Sequence, residues 1–87
     1  MNPETIKQYI EAGMVGATAL IEGEDGQHFT ATVISEQFSN KTRIEKQQLV
    51  YATLKNYIKD GTIHAISIKT LTPEEWRQQS MDGGQHG

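Results

Sequence analysis

A long helical pattern stands between two strand-like runs, and it limits the folds open to this chain more than any other feature. Residues 28–35 alternate apolar and polar with β-branched character, and residues 62–70 are rich in β-branched side chains, so both runs read as strands. Between them Thr42-Arg43-Ile44-Glu45 forms a capping box. Ile44, Gln47, Tyr51, Leu54 and Ile58 follow at helical spacing, widened by Val50 and Tyr57, which predicts a helix running to Asp60 and closed by Gly61. Strand, long helix, strand is a crossover connection, which demands parallel strands and favours a right-handed path if both lie in one sheet.

The flanking segments complete the pattern. Asn2-Pro3-Glu4 offers an N-cap, a proline at the first helical position and an early carboxylate, and Ile6, Ile10 and Met14 then mark a core-facing stripe that Gly13 or Gly16 ends. Residues 18–22 alternate as a strand, and Gly23-Glu24-Asp25-Gly26 supplies turn residues before the run from His28, so a β-hairpin is expected. Within its second strand Phe29, Ala31 and Val33 share the better core face, leaving His28 outward at the strand's start. Thr72-Pro73-Glu74-Glu75 repeats the capping logic, with Glu75 completing a box with Thr72 and opening a last helix that Trp76 is expected to pin onto the domain. The predicted order is α-β-β-α-β-α: an α+β domain over 1–78, with a three-stranded mixed sheet and a disordered tail over 79–87.

With 87 residues, a single core is only marginally sufficient, so most apolar residues are committed to packing. The absence of cysteine excludes disulfides and any iron–sulfur or zinc site built from this chain's own thiolates. A metal here must use histidine or a partner's sulfur. No apolar run approaches a membrane span, and Met1-Asn2-Pro3-Glu4 lacks the regions of a signal peptide, so a cytoplasmic protein with no membrane association is expected. A net charge of −3 gives the whole chain no attraction for polyanions.

Two histidines stand out against this structural background. His64 sits near the start of a buried-type strand, on the face of Ile66 and Ile68, where an apolar residue would serve folding equally well. Parallel neighbours start at the same end of a sheet about 4.8 Å apart, which brings His28 and His64 to one edge. Strict alternation, however, places the two on opposite faces, so their pairing requires relaxed strand ends.

The string "GTIHAISIKTLTPEEW", with "FSNKTRIEKQQLVYATL" upstream of it, resembles the BolA family, and within it the IbaG-like bacterial branch, across residues 4–77. The resemblance implies a fold similar to the type II KH domain. It also implies that His64, in the Ile-His-Ala motif, ligates a [2Fe–2S] cluster shared with a monothiol glutaredoxin and glutathione. His28 matches the hairpin-loop position where family members use histidine or a nearby cysteine, so it is the second candidate ligand. A chain without cysteine fits a partner that contributes only imidazole. Asn40 stands where BolA-like sequences usually carry glycine, which implies a left-handed residue there. The apo form is open to homodimerisation.

Lys41, Arg43 and Lys46, with Lys55 and Lys59 further along, are the main basic concentration. They read either as a solvated helix face interleaved with Glu45 and Asp60, or as a nucleic-acid or partner surface of a transcriptional regulator, an activity attributed to some BolA proteins. The Gly-x-x-Gly clamp of true KH domains is missing from this region. Ser35, Ser39 and Thr42 lack an accompanying base, so the chain is expected not to be an enzyme.

Overall fold

The computed structural model describes residues 1–86, with side chains through Ser80. Its elements follow the expected order: α1 (Pro3–Gly13), β1 (Thr18–Glu22), β2 (His28–Ile34), a single 3-10 turn (Glu36–Phe38), α2 (Arg43–Lys59), β3 (Ala65–Leu71) and α3 (Pro73–His86). The expected disordered tail over 79–87 overlaps α3, whose backbone is helical through His86, and side chains are described only as far as Ser80.

Local chemistry explains the helix starts. Asn2 Oδ1 accepts from the Thr5 N–H at 2.8 Å, while Thr42 and Glu45 exchange reciprocal bonds at 3.2 and 2.8 Å. Thr72 and Glu75 do the same at the head of α3, so three cap predictions read from short sequence strings are realised. Asn40 takes the left-handed conformation at φ 63°, as does Gly61 at φ 83° past the end of α2.

The sheet order is β1-β2-β3, with β1 antiparallel to β2 and β2 parallel to β3. Ala19 lies opposite Val33, and Ile21 opposite Ala31; Phe29, Ala31 and Val33 are buried as the alternation predicted. Onto this face pack Ile6, Ile10 and Met14 from the α1 segment and Val50 and Leu54 from α2, closed by Phe38 and Ile63. The opposite face remains open, with Thr30, Ser67 and Lys69 exposed.

Three expectations need correction. β3 begins at Ala65 rather than at residue 62, because the chain first folds back on the end of α2. Asp60 Oδ1 accepts from the Thr62 N–H at 2.9 Å, and the Ile63 N–H donates to the Tyr57 carbonyl at 3.0 Å, seating Ile63 in the core. The buried face of α2 centres on Val50 and Leu54, leaving Ile44 69% and Tyr51 39% exposed; Ile44 lies about 120° around the helix from Val50. Trp76 is 37% exposed and stands outside the core cluster, so it does not pin α3 as expected. That junction is covered instead by Leu71, whose carbonyl accepts from the Ser35 N–H at 2.9 Å.

A polar tie joins α1 to the sheet. Lys7 Nζ meets Glu11 Oε2 at 2.7 Å and the Ala19 carbonyl at 3.0 Å, and the same Glu11 oxygen accepts from the Ala19 N–H at 2.9 Å. The Lys7 hydrogen bond, followed by the Ala19 N–H, holds the Glu11 carboxyl below its ordinary value. A lowered native value means that this contribution is complete above the unfolded carboxyl value of about 4.3 and is lost as pH falls through the folded one. Glu11→Gln is therefore expected to reduce stability at neutral pH and to flatten the acid limb of the curve, as measured by urea midpoints across pH. On α2, Leu54→Ala should cost about 2–5 kcal/mol. Ile44→Ala should stay within about 0.5 kcal/mol, and the two denaturation curves together check which face is buried.

Candidate metal centre

The hairpin turn fixes the first imidazole. Asp25 Oδ1 accepts from the backbone N–H groups of Gln27 and His28 at 2.9 and 2.8 Å, while Oδ2 lies 2.6 Å from His28 Nδ1. Aspartate favours such turns because its short side chain bonds backbone two residues on. Hydrogen bonding by the His28 ring, then by the His28 and Gln27 N–H groups, holds the Asp25 carboxyl well below the usual carboxylate range. The His28 side chain nevertheless remains 60% exposed.

The crossover delivers the second imidazole. His28 is in register with Ala65, so His64 is the residue just ahead of the parallel ladder. The Gln27 carbonyl accepts from both His64 N–H, at 3.0 Å, and Ala65 N–H, at 3.2 Å, anchoring this end of β3 beside the hairpin. Because His64 lies outside the ladder, pleat alternation does not fix its direction. The two rings approach to 6.1 Å between centroids with their planes at 89°, and the conflict posed by strict alternation disappears at the strand ends.

An open cleft of about 540 Å³ borders His28, lined among others by Glu22, Glu24, Thr30, Ala65 and Ser67. Two imidazoles on one tetrahedral metal have ring centroids roughly 5 Å apart, given metal–nitrogen distances near 2 Å. Among the described residues, no group of three or more His, Cys, Asp or Glu side chains is arranged to hold a metal ion. Among the described residues the two rings thus offer at most two imidazole donors at this edge. Reading the sequence identified both histidines but took Asp25 only as a turn residue; its place three residues before His28, next to Gly26, was the signal for a bond back onto the ring.

The basic residues divide. Arg43 and Lys46 line a cleft of about 470 Å³ together with Gln47, Ile68, Lys69 and Thr70, whereas Lys41 borders a different hollow with Glu45, Gln48, Leu49 and Ala52. Lys69, which the sequence reading left out of the basic group, joins Arg43 and Lys46 through the packing of α2 against β3, marked by Gln47 Nε2 donating to the Ile68 carbonyl at 2.8 Å. From Ala65 to Lys69 the strand advances roughly 13 Å, so this groove is separate from the histidine pair.

Comparison with known families places this geometry: the model of the BolA-like proteins matches residues 7–75. The chain belongs to the BolA family. It is 41% identical over 78 residues to the acid stress protein IbaG of Escherichia coli K12, covering 85% of this chain and 93% of that one. A protein from the rpoN-murA intergenic region of Acinetobacter guillouiae is 37% identical over 83 residues, covering 95% and 99%. Among solved structures, a BolA homologue from Coxiella burnetii superposes with a TM-score of 0.80 at 37% identity, covering 88% of this chain and 97% of that one. The mixed sheet and helix order of this BolA-family chain are therefore those of its relatives.

One glycine supports the site at close range. A Cβ on Gly23 would stand 2.6 Å from Phe29 Cδ1 and 2.7 Å from the His28 carbonyl oxygen, so any side chain there must push the start of β2 aside. Gly23→Ala is expected to cost about 1–3 kcal/mol and to move the amide resonances of His28 and Phe29 while leaving those of α2 in place, which a two-dimensional NMR spectrum reads directly.

Proposed function

We propose that this BolA-family protein works without catalysis as the partner of a monothiol glutaredoxin, sharing a [2Fe–2S] cluster as cargo through His28 and His64 in iron–sulfur trafficking or iron and stress sensing. The observation that carries the reading is the exposed, perpendicular imidazole pair 6.1 Å apart at one end of the sheet. With no cysteine in the chain and no group of three or more His, Cys, Asp or Glu side chains arranged to hold a metal ion among the described residues, this reading draws the remaining ligands from another molecule. Glutaredoxin cysteine and glutathione are the thiolates that complete such a set. Replacing anionic thiolates by neutral imidazoles raises the reduction potential of an iron–sulfur centre. A ligating imidazole must be free of its second proton, so association weakens on acidification.

Two of the hydroxyl groups considered as nucleophiles are engaged in capping, which supports a non-catalytic role. Ser35 Oγ accepts from the Gln37 N–H and Thr42 Oγ1 from the Glu45 N–H, so both cap helical turns.

A second reading is favoured by the groove of Arg43, Lys46 and Lys69, which form no ion pair among the described residues. It makes the protein a nucleic-acid-binding regulator whose affinity falls with salt. Anaerobic titration of the protein into cluster-loaded glutaredoxin with glutathione, followed by visible circular dichroism, separates the readings. A new spectrum that is lost in His64→Ala and altered in His28→Ala is expected. An unchanged glutaredoxin spectrum would reject shared ligation and leave a metal-free adaptor or the basic groove. In the latter case Lys46→Ala would weaken nucleic-acid binding and lower the salt slope by about 1.

A further inference from the structure

The hydrogen bonds around the two imidazoles are unequal. His28 Nδ1 lies 2.6 Å from Asp25 Oδ2, and that carboxylate is itself immobilised because its other oxygen accepts two backbone N–H groups of the same turn. An ionised carboxylate only accepts hydrogen bonds. The ring nitrogen facing it must therefore carry hydrogen, and in a neutral imidazole the lone pair is then left on the opposite nitrogen. His64 is held through its backbone N–H on the Gln27 carbonyl, but among the described residues its ring has no hydrogen-bond partner. One imidazole is set in tautomer and orientation before any metal arrives, while the other adapts.

We propose that Asp25 is a positioning residue that keeps the proton of neutral His28 on Nδ1 and so selects Nε2 as the atom offered to the metal. The inference rests on the glutaredoxin-partner reading for its purpose, but the proton placement stands on the geometry of the hairpin alone. A carboxylate behind a ligating imidazole fixes the ring and raises its basicity, and loss of such a partner typically lowers metal affinity 10–100-fold. The turn is shaped for this role, since Gly26 takes the left-handed conformation at φ 76° and lets the chain reverse so that one side chain meets the two N–H groups and the ring together.

Asp25→Asn is the informative change. Its amide oxygen still accepts the Gln27 and His28 N–H groups, so the amide NH₂ faces the ring as a donor. The proton of His28 is then driven to Nε2, which loses its lone pair for a metal. In the metal-free protein at about pH 8.5, above the usual range of histidine titration, imidazole ¹⁵N NMR should find His28 protonated at Nδ1 in the wild type and at Nε2 in Asp25→Asn. His64 should average between tautomers in both. A wild-type His28 that averages like His64, or carries its proton on Nε2, overturns the proposal, and an amide spectrum unchanged outside the hairpin shows that the variant folds.

The second arm uses cluster-loaded glutaredoxin. Asp25→Asn should weaken formation of the mixed complex about 10-fold or more, approaching the effect of His28→Ala. If His28→Ala weakens the complex and Asp25→Asn, with its tautomer reversed, does not, the positioning role fails while the partner reading survives. If neither His28→Ala nor His64→Ala alters the complex, the partner reading fails and takes the positioning role with it.

Discussion

The parallel pairing of β2 with β3 is the constraint on which this domain depends. Once α2 is long enough to require a crossover, the two strands must run the same way, and their starts fall together. The register then joins His28 to Ala65 and Phe29 to Ile66. It also brings the Gln27 carbonyl within reach of the His64 and Ala65 N–H groups. Residues far apart in the chain are thus held at one edge by backbone bonds, before any side-chain contact between them is considered. The core reinforces this placement, since Phe29 and Ile63, which flank the site in sequence, are both buried.

What the sequence made legible was what local rules govern. Three N-caps, the hairpin and the core face of β2 are decided within a few residues of themselves and appear as read, while the left-handed Asn40 followed from the glycine that BolA-like sequences usually carry there. The start of β3 was misplaced because a β-branched run from Thr62 onward satisfies a strand pattern, while the closing bonds from Asp60 and Tyr57 depend on where α2 ends in space. Ile44 and Trp76 illustrate a related limit. Helical spacing says which residues share a face, but only the position of the sheet decides which face is buried, and a small domain leaves some large apolar residues exposed.

At the histidine pair, the topology supplied by pattern reading was enough to predict that His28 and His64 share an edge, while the chemistry proposed for them comes from the BolA resemblance alone. Asp25 escaped because Gly-Glu-Asp-Gly already has a sufficient explanation as a turn. Its bond to the His28 ring adds a second role to a residue whose backbone role was complete, and composition cannot register that. Lys69 escaped for a different reason. It lies on a strand, away from the α2 cations in sequence, and joins Arg43 and Lys46 only through packing.

The two ends of β3 consequently differ in charge. Beside Ala65 the rim carries Glu22 and Glu24 with Asp25 behind His28, whereas Lys69 further along shares its groove with Arg43 and Lys46. A polyanion would be repelled from the first end and attracted to the second, and with a Debye length of about 8 Å at physiological salt a separation of roughly 13 Å lets each end act almost independently. An imidazole is accommodated at the acidic end in either charge state, because a carboxylate can hold the ring by accepting its N–H. A thiolate at the same place would face the repulsion of three nearby carboxylates, which raises the cost of its ionised form. The local field of this turn therefore favours an imidazole over a thiolate beside Asp25, whatever the ring goes on to bind.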